Sequence, residues 1–469
     1  MVPADAVDVH VVDSKSGSRI KDDILEFEDR QLFLDLTDEN KTHNLNDHLH
    51  GLSKSATLEI NEKSAWLESQ GMKIYRFGLG QSPFPVPEIV VEALRQNAHQ
   101  KDYLNLKGLY ELRDEVAKFH SSRIGIERQG SMVMIGPGSK ELLFLVQLVF
   151  DGDLIVPSPC WVSYIPQALI IGRRIRIIHT NYESKWRMTD QQLEELCNDD
   201  RRERNNHPRL LILNYPGNPE GNTYSAIELE RIARVARKYN VLILSDEIYG
   251  ELNFEGNHVS IAQYYPEGTI ISSGLSKWCG AGGWRIGTFS FPEKLKWLMD
   301  AMAVVASETY TSVSAPIQYA AVTAFRGDPS IDEYLRQSRR ILKCVGMWCT
   351  RALVNVGVRI HPPKGAFYLF LDFSLFKESL AQIGIDTAKT LTDKLLEETG
   401  VAILPASDFA RSQDELAARL AYVNFNGQLT LDLAMNEFAN KELDEEFLRK
   451  ACPETIAGIE KLAEWLKNL

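Results

Sequence analysis

The sequence predicts an α/β fold, with a large domain whose mainly parallel sheet is covered by helices on both faces, joined to a smaller α+β domain. Three observations carry this. Short apolar runs at Met132–Ile135, Asp153–Val156, Arg174–Ile178, Arg209–Asn214, Val241–Ser245 and Thr269–Ser273 alternate with helical stretches such as Lys140–Phe150 and Ala226–Tyr239. Strands separated by helices cannot pair as hairpins and form parallel sheets buried on both faces. A chain of 469 residues also exceeds what one core organises, so more than one domain is expected.

Residues 1–52 read as an appended acidic arm. Residues 1–40 hold eight Asp and three Glu against two Lys and two Arg, with a weak apolar pattern around Ile24–Leu36. His43, His48 and His50 fall together here, and a solvated loop is the plainer reading of them than a metal site. Residues 53–84 and 341–469 are assigned to the small domain and 85–340 to the large one. Helices are expected at Ser55–Gln70, Glu88–His99 and Glu111–Arg123, with Gly71 ending the first. After about Arg340, Ala366–Asp372 and Ala418–Phe425 read as strands, and Thr387–Thr399 and Asp444–Lys467 as helices.

Composition excludes several classes of function. Net charge is −12 with no basic stripe, so no nucleic acid partner is expected. The longest apolar run, Leu142–Phe150, is too short to span a bilayer, so no membrane association is expected. A basic leader is lacking and the six cysteines are scattered without a C-x-x-C pair, which suggests a cytoplasmic protein with reduced thiols.

The residues that suggest chemistry stand just after the apolar runs, where parallel sheets bind ligands. Asn214-Tyr-Pro-Gly-Asn218-Pro219 reads first as a tight turn, and second as a way to aim the Asn218 amide at a ligand. Asp246, ending the next strand, suits a helix cap or a buried carboxylate that holds a pyridinium nitrogen protonated. Lys277 ends a third strand and is followed by Trp, Cys, Gly and Ala. Apolar surroundings lower an amine's pKa, as a Schiff-base lysine requires. Gly136-Pro-Gly138-Ser139-Lys140, between a strand and a helix, offers backbone N–H groups to a phosphate.

Taken together, these motifs resemble the class I/II aminotransferases, fold type I pyridoxal phosphate enzymes. From Asn218 to Asp246 is 28 residues, from Asp246 to Tyr249 three, and from Lys277 to Arg285 eight, in the order and spacing of that family. The resemblance implies that the small domain is built from both chain ends and that the cofactor is pyridoxal 5′-phosphate. Lys277 would carry it as a Schiff base and shuttle protons, Asp246 would pair with the ring nitrogen, and Asn218 and Tyr249 would bond the ring 3′-oxygen. Arg285, Gly138, Ser139, Lys140 and Ser276 would hold the phosphate, and Trp161 would stack on the ring. Tyr103 would reach the phosphate of a neighbouring subunit, which implies a homodimer. Arg419 would bind the substrate α-carboxylate, with Gly80 in a loop closing above it.

The sequence departs from the family at Gly274, where a phosphate-binding serine is common and Ser273 or Ser276 could substitute. It departs again at Ala406 and Ala410, which replace glycines. The implied activity is transfer of an amino group from an L-amino acid to a 2-oxo acid by a ping-pong mechanism. A pyridoxal phosphate β/γ-lyase or synthase on the same scaffold is the alternative, and an inactive binding protein a second. No arginine stands in Ser307–Ser312, which argues for a neutral or aromatic donor, although Lys140 matches a position serving acidic substrates in some bacterial relatives.

Overall fold

The computed structural model describes residues 9–12, 49, 56–202 and 206–469. Among these, thirteen strands follow one another. They are β1 (Val9–Val12), β2 (Tyr75–Arg76), β3 (Val133–Gly136), β4 (Asp153–Ser158), β5 (Ile175–His179), β6 (Arg209–Asn214), β7 (Val241–Asp246), β8 (Thr269–Gly274), β9 (Gly287–Ser290), β10 (Tyr368–Asp372), β11 (Val401–Ala402), β12 (Leu404–Pro405) and β13 (Ala417–Ala421). Eight form one sheet in the order β1-β5-β4-β6-β7-β8-β9-β3. Its pairings are parallel except those of β9, which runs antiparallel to both β8 and β3.

The expected burial of both sheet faces is observed. Leu154, Val156, Leu210, Ile212 and Leu244 pack on one side with the helices Ser139–Val149 and Lys296–Glu308. The alternate residues Ile155, Leu211, Leu213 and Ile243 pack on the other with Asp190–Arg202 and Ala226–Lys238. Successive strand residues point to opposite faces, so runs apolar at every position fill two cores at once. Each such side chain contributes about 1.5–3 kcal/mol on burial. The helix Ala226–Lys238 begins at a capping box, in which Ser225 and Glu228 satisfy each other's backbone N–H groups.

The second region holds the antiparallel sheet β10-β13-β12 and the pair β11–β2. The latter joins Tyr75–Arg76 to Val401–Ala402, so a segment before β3 and one after β10 lie side by side. Cys452 and Pro453 divide the single helix expected over Asp444–Lys467 into Glu445–Ala451 and Pro453–Lys467. Proline disfavours helical backbone in the residue before it, and Cys452 sits at φ −129°, ψ 42°. A helix Pro329–Val354, capped by Asp328, runs through the expected boundary at residue 340. In the acidic arm, β1 pairs in parallel with β5, while Ile24–Leu36 and the three histidines lie outside the described residues.

Candidate active site

A cavity of about 460 Å³ opens where the carboxyl ends of the parallel strands meet the region of β10 and β13. Of the thirteen site residues expected from the sequence, Gly80, Ser139, Lys140, Trp161, Asn218, Asp246, Tyr249, Ser276, Lys277, Arg285 and Arg419 line this cavity. Gly138 stands immediately behind the wall, against the Arg285 guanidinium. Tyr103 lies elsewhere and is 89% exposed.

Strand ends supply most of the polar groups. Asn214 at the end of β6 accepts the Asn218 N–H at 2.9 Å, and its amide donates to the Asp246 carbonyl at 2.8 Å. Side chain thus locks turn to strand, and both cavity-facing residues hold a fixed position. Asp246 is buried at the end of β7, and burial pushes its carboxyl above the ordinary range. Hydrogen bonds from Tyr164 (2.5 Å) and Ser272 (3.3 Å) pull it back toward ionisation. Among the described residues no cation stands within ion-pair distance of it.

Lys277 projects from the turn after β8 and donates to the Gly80 carbonyl at 2.7 Å. Its amine is pushed down to about 8, by burial first and then by the Arg419 cation, with Asp246 opposing. Arg285 and Lys140 add to the same lowering. An amine so placed is neutral in about one molecule in ten at pH 7, far more than an ordinary lysine, and the neutral form is the one that acts as nucleophile and base.

The opposite wall is cationic. Arg285 holds a left-handed backbone (φ 57°) and donates to the Gly282 carbonyl at 2.9 Å. A Cβ on Gly138 would stand 2.1 Å from its Nη2, so only glycine lets the guanidinium settle over the start of the helix Ser139–Val149. The Lys140 ammonium lies 5.0 Å from the centre of the Trp161 ring. Gly274 also has a physical reason: a Cβ there would meet the carbonyl of Ile286, the residue before β9, at 2.6 Å. Of the two serines that could substitute, Ser276 lines the cavity and Ser273 does not.

Arg419 on β13 is 1% exposed. It donates to Asn218 Oδ1 at 3.2 Å and to the Gly78 carbonyl, its Nε has no partner, and no carboxylate lies within ion-pair distance among the described residues. A buried charge left unpaired is costly. Asp246 and Arg419 are therefore two uncompensated charges on one cavity, which a ligand with a cationic ring nitrogen and a carboxylate would satisfy together.

Two wall residues escaped the sequence reading. Tyr164 lies three residues after Trp161, and Tyr368 lies inside the expected strand Ala366–Asp372. The Tyr368 hydroxyl lies 2.7 Å from that of Tyr249, and the Arg419 guanidinium sits 4.9 Å from the centre of its ring. Sequence carried no local signal for either contact, since the bonds close across 82 and 119 residues.

A family model described as aminotransferase class I and II matches residues 73–422. The chain belongs to the class I and II aminotransferases. Similar proteins include an asparagine–oxo-acid transaminase of Streptococcus mutans, 31% identical over 399 residues that cover 82% of this chain and 95% of that protein. An aspartate aminotransferase of Geobacillus stearothermophilus is 31% identical over 389 residues, covering 79% of this chain and 92% of the other. Among solved structures, the Thermus thermophilus aspartate aminotransferase with maleate superposes with a TM-score of 0.74 at 28% identity, covering 90% of this chain and 99% of that one. This aminotransferase is thus a transaminase of fold type I, and the lyase and inactive readings are not favoured. All six of its cysteines are free. No helix among the described residues is long and apolar enough to cross a membrane.

Proposed function

We propose that this aminotransferase holds pyridoxal 5′-phosphate on Lys277 and transfers the amino group of aspartate or asparagine to a 2-oxo acid by ping-pong turnover. The pairing of Asp246, buried with no cation beside it among the described residues, with Arg419, buried with no carboxylate beside it, across one cavity carries the reading. When bound, the cofactor supplies an electron sink for the bond broken at the substrate α-carbon.

The residues present fit that group. Buried Asp246 would hold the ring nitrogen protonated, with Tyr164 keeping the carboxylate ionised. Asn218 and Tyr249 would donate to the ring oxygen, and Trp161 would cover one face. Arg285, Ser139, Ser276 and the N–H groups after Gly138 would grip the phosphate, where a planar fork matches the oxygens. Arg419 would take the substrate α-carboxylate, exchanging the Gly78 carbonyl for it. Lys277, once free of the cofactor, would hold and move the α-carbon proton at its Nζ. The strap at Gly78–Gln81, of which Leu79, Gly80 and Gln81 line the cavity, would exclude water above it.

Lys140 favours an acidic or amide side chain over the neutral or aromatic donor expected from Ser307–Ser312, a segment that does not line the cavity. The names of the relatives support the same choice. A homodimer is supported by exposed Tyr103 and by Trp297 and Val304, 54% and 68% exposed on the helix Lys296–Glu308. Scattered free thiols support a cytoplasmic enzyme.

The test is the absorption spectrum of cofactor-loaded protein on adding single amino acids without an oxo acid. Loss of the yellow band with stoichiometric oxo acid is expected from aspartate or asparagine, with K140A losing the preference over phenylalanine. Catalytic release of ammonia or pyruvate would defeat the transaminase reading. Absence of the band in cofactor-saturated protein would defeat the assignment of Lys277.

A further inference from the structure

Tyr368 stands at the crossing of three parts of the cavity. Its hydroxyl meets that of Tyr249 at 2.7 Å and lies 3.5 Å from the Gly80 carbonyl, while its ring lies under the Arg419 guanidinium at 4.9 Å. The side chain is fully buried on β10, where the next residue but one, Phe370, is paired with Arg419 in register. A Cβ on Gly80 would fall 2.0 Å from the Tyr368 hydroxyl, so the strap packs directly on this residue. The Gly80 carbonyl is also the acceptor of Lys277.

Resting on the assignment of the cofactor above, we infer that Tyr368 is a positioning residue that orients the Tyr249 hydroxyl toward the cofactor and couples it to the carboxylate site at Arg419. The argument is one of donor counting. A tyrosine hydroxyl has a single proton. If Tyr249 gives its proton to the ring oxygen of the cofactor, the short contact with Tyr368 is a hydrogen bond only when Tyr368 donates. Donation into the Tyr249 oxygen strengthens Tyr249 as a donor in turn. The Tyr368 hydroxyl then has no proton for the Gly80 carbonyl, which is left to Lys277 when the lysine is free. The ring of Tyr368 serves separately, as the face over which the Arg419 guanidinium stands.

The experiment uses the full-length holoenzyme and follows the pH midpoint of its visible absorption change without substrate, in wild type, Y368F, Y249F and the double variant. Stabilisation of the ring oxygen by Tyr249 lowers this midpoint, so Y368F is expected to raise it by about half a unit to one unit. Y249F should raise it further, and adding Y368F to Y249F should change nothing more. Y368H, which keeps a ring donor, is expected to recover part of the shift and also serves if Y368F does not fold. A wild-type midpoint in Y368F, or a shift that simply adds to that of Y249F, overturns the inference while leaving the cofactor assignment intact. Loss of the band from the wild-type protein itself overturns both.

Discussion

Tyr164 donates a 2.5 Å hydrogen bond to Oδ2 of Asp246, and both residues are buried. This bond opposes the effect of burial on the carboxyl. Burial raises its pKa, Tyr164 lowers it, and the ionised form is the one that can hold a cationic ring nitrogen. Y164F therefore raises the pKa of Asp246, and the acid limb of the pH–rate profile moves to higher pH. A hydrogen bond to a charged group is worth about 1.5–3 kcal/mol, so kcat/KM should fall about tenfold or more below that limb. Stopped-flow half-reactions across pH would show it, and a Y164F profile superimposing on wild type would refute it.

Lys277 gives a stability prediction of definite sign. Its folded-state pKa is depressed from 10.5 to about 8. Between those values the unfolded chain holds a proton that the folded protein does not, so stability of the cofactor-free protein rises with pH through this window. Below about pH 8 the full cost of burying the amine applies, at most about 3 kcal/mol at about 1.4 kcal/mol per unit. K277M removes that cost and also the bond to the Gly80 carbonyl, which offsets about 1 kcal/mol. Cofactor-free K277M should thus be more stable than wild type at pH 7 by about 1–2 kcal/mol. The gap should close above about pH 10. Urea unfolding at several pH values checks this, and a gap that does not narrow with pH would sink it.

The order of these residues along the chain explains what was legible in the sequence. Asn218 follows and Asp246 ends a strand with a run of four apolar residues, and Lys277 follows the fully buried strand Thr269–Gly274, so pattern and chemistry lie side by side. Strand β6 was expected at the limits it has, Arg209–Asn214. Strand β9, Gly-Thr-Phe-Ser, was missed because four residues with one large apolar side chain carry no period. The two-residue strands β2 and β11 are fixed by their mutual pairing and by nothing local. Tyr368 was legible as strand and illegible as site, because its partners Tyr249, Gly80 and Arg419 come from three other segments.

A side chain at Gly138 should displace Arg285. The glycine's φ of +92° already disfavours an L-residue, and a Cβ would stand 2.1 Å from Arg285 Nη2 and 2.7 Å from its Cζ. The end of a flexible side chain can move, so G138A should fold and displace the guanidinium from the wall. The expected result is a weaker grip on the cofactor phosphate, by about tenfold or more. Equilibrium dialysis with pyridoxal phosphate reads this directly, and free inorganic phosphate should compete less well against the variant. Unchanged cofactor affinity in G138A would remove Arg285 from the proposed phosphate site.

Arg419 offers the sharpest test of the carboxylate end. It is a guanidinium with two donors committed to Asn218 and Gly78, an unpartnered Nε and aromatic rings of Tyr368 and Phe409 at 4.9 and 5.0 Å. In R419K the charge remains, but an ammonium cannot present parallel donors to a carboxylate. The α-carboxylate would lose its paired bonds, and KM for the amino acid should rise about tenfold to a hundredfold. The midpoint of the cofactor absorption change without substrate should move less than in Y368F, because the Tyr249–Tyr368 contact is retained. Half-reaction KM and kcat measured with an amino acid and with the matching amine, which lacks the carboxylate, separate the two roles. Discrimination between acid and amine should collapse in R419K, and a variant that still prefers the acid as strongly as wild type would place the carboxylate elsewhere in the cavity.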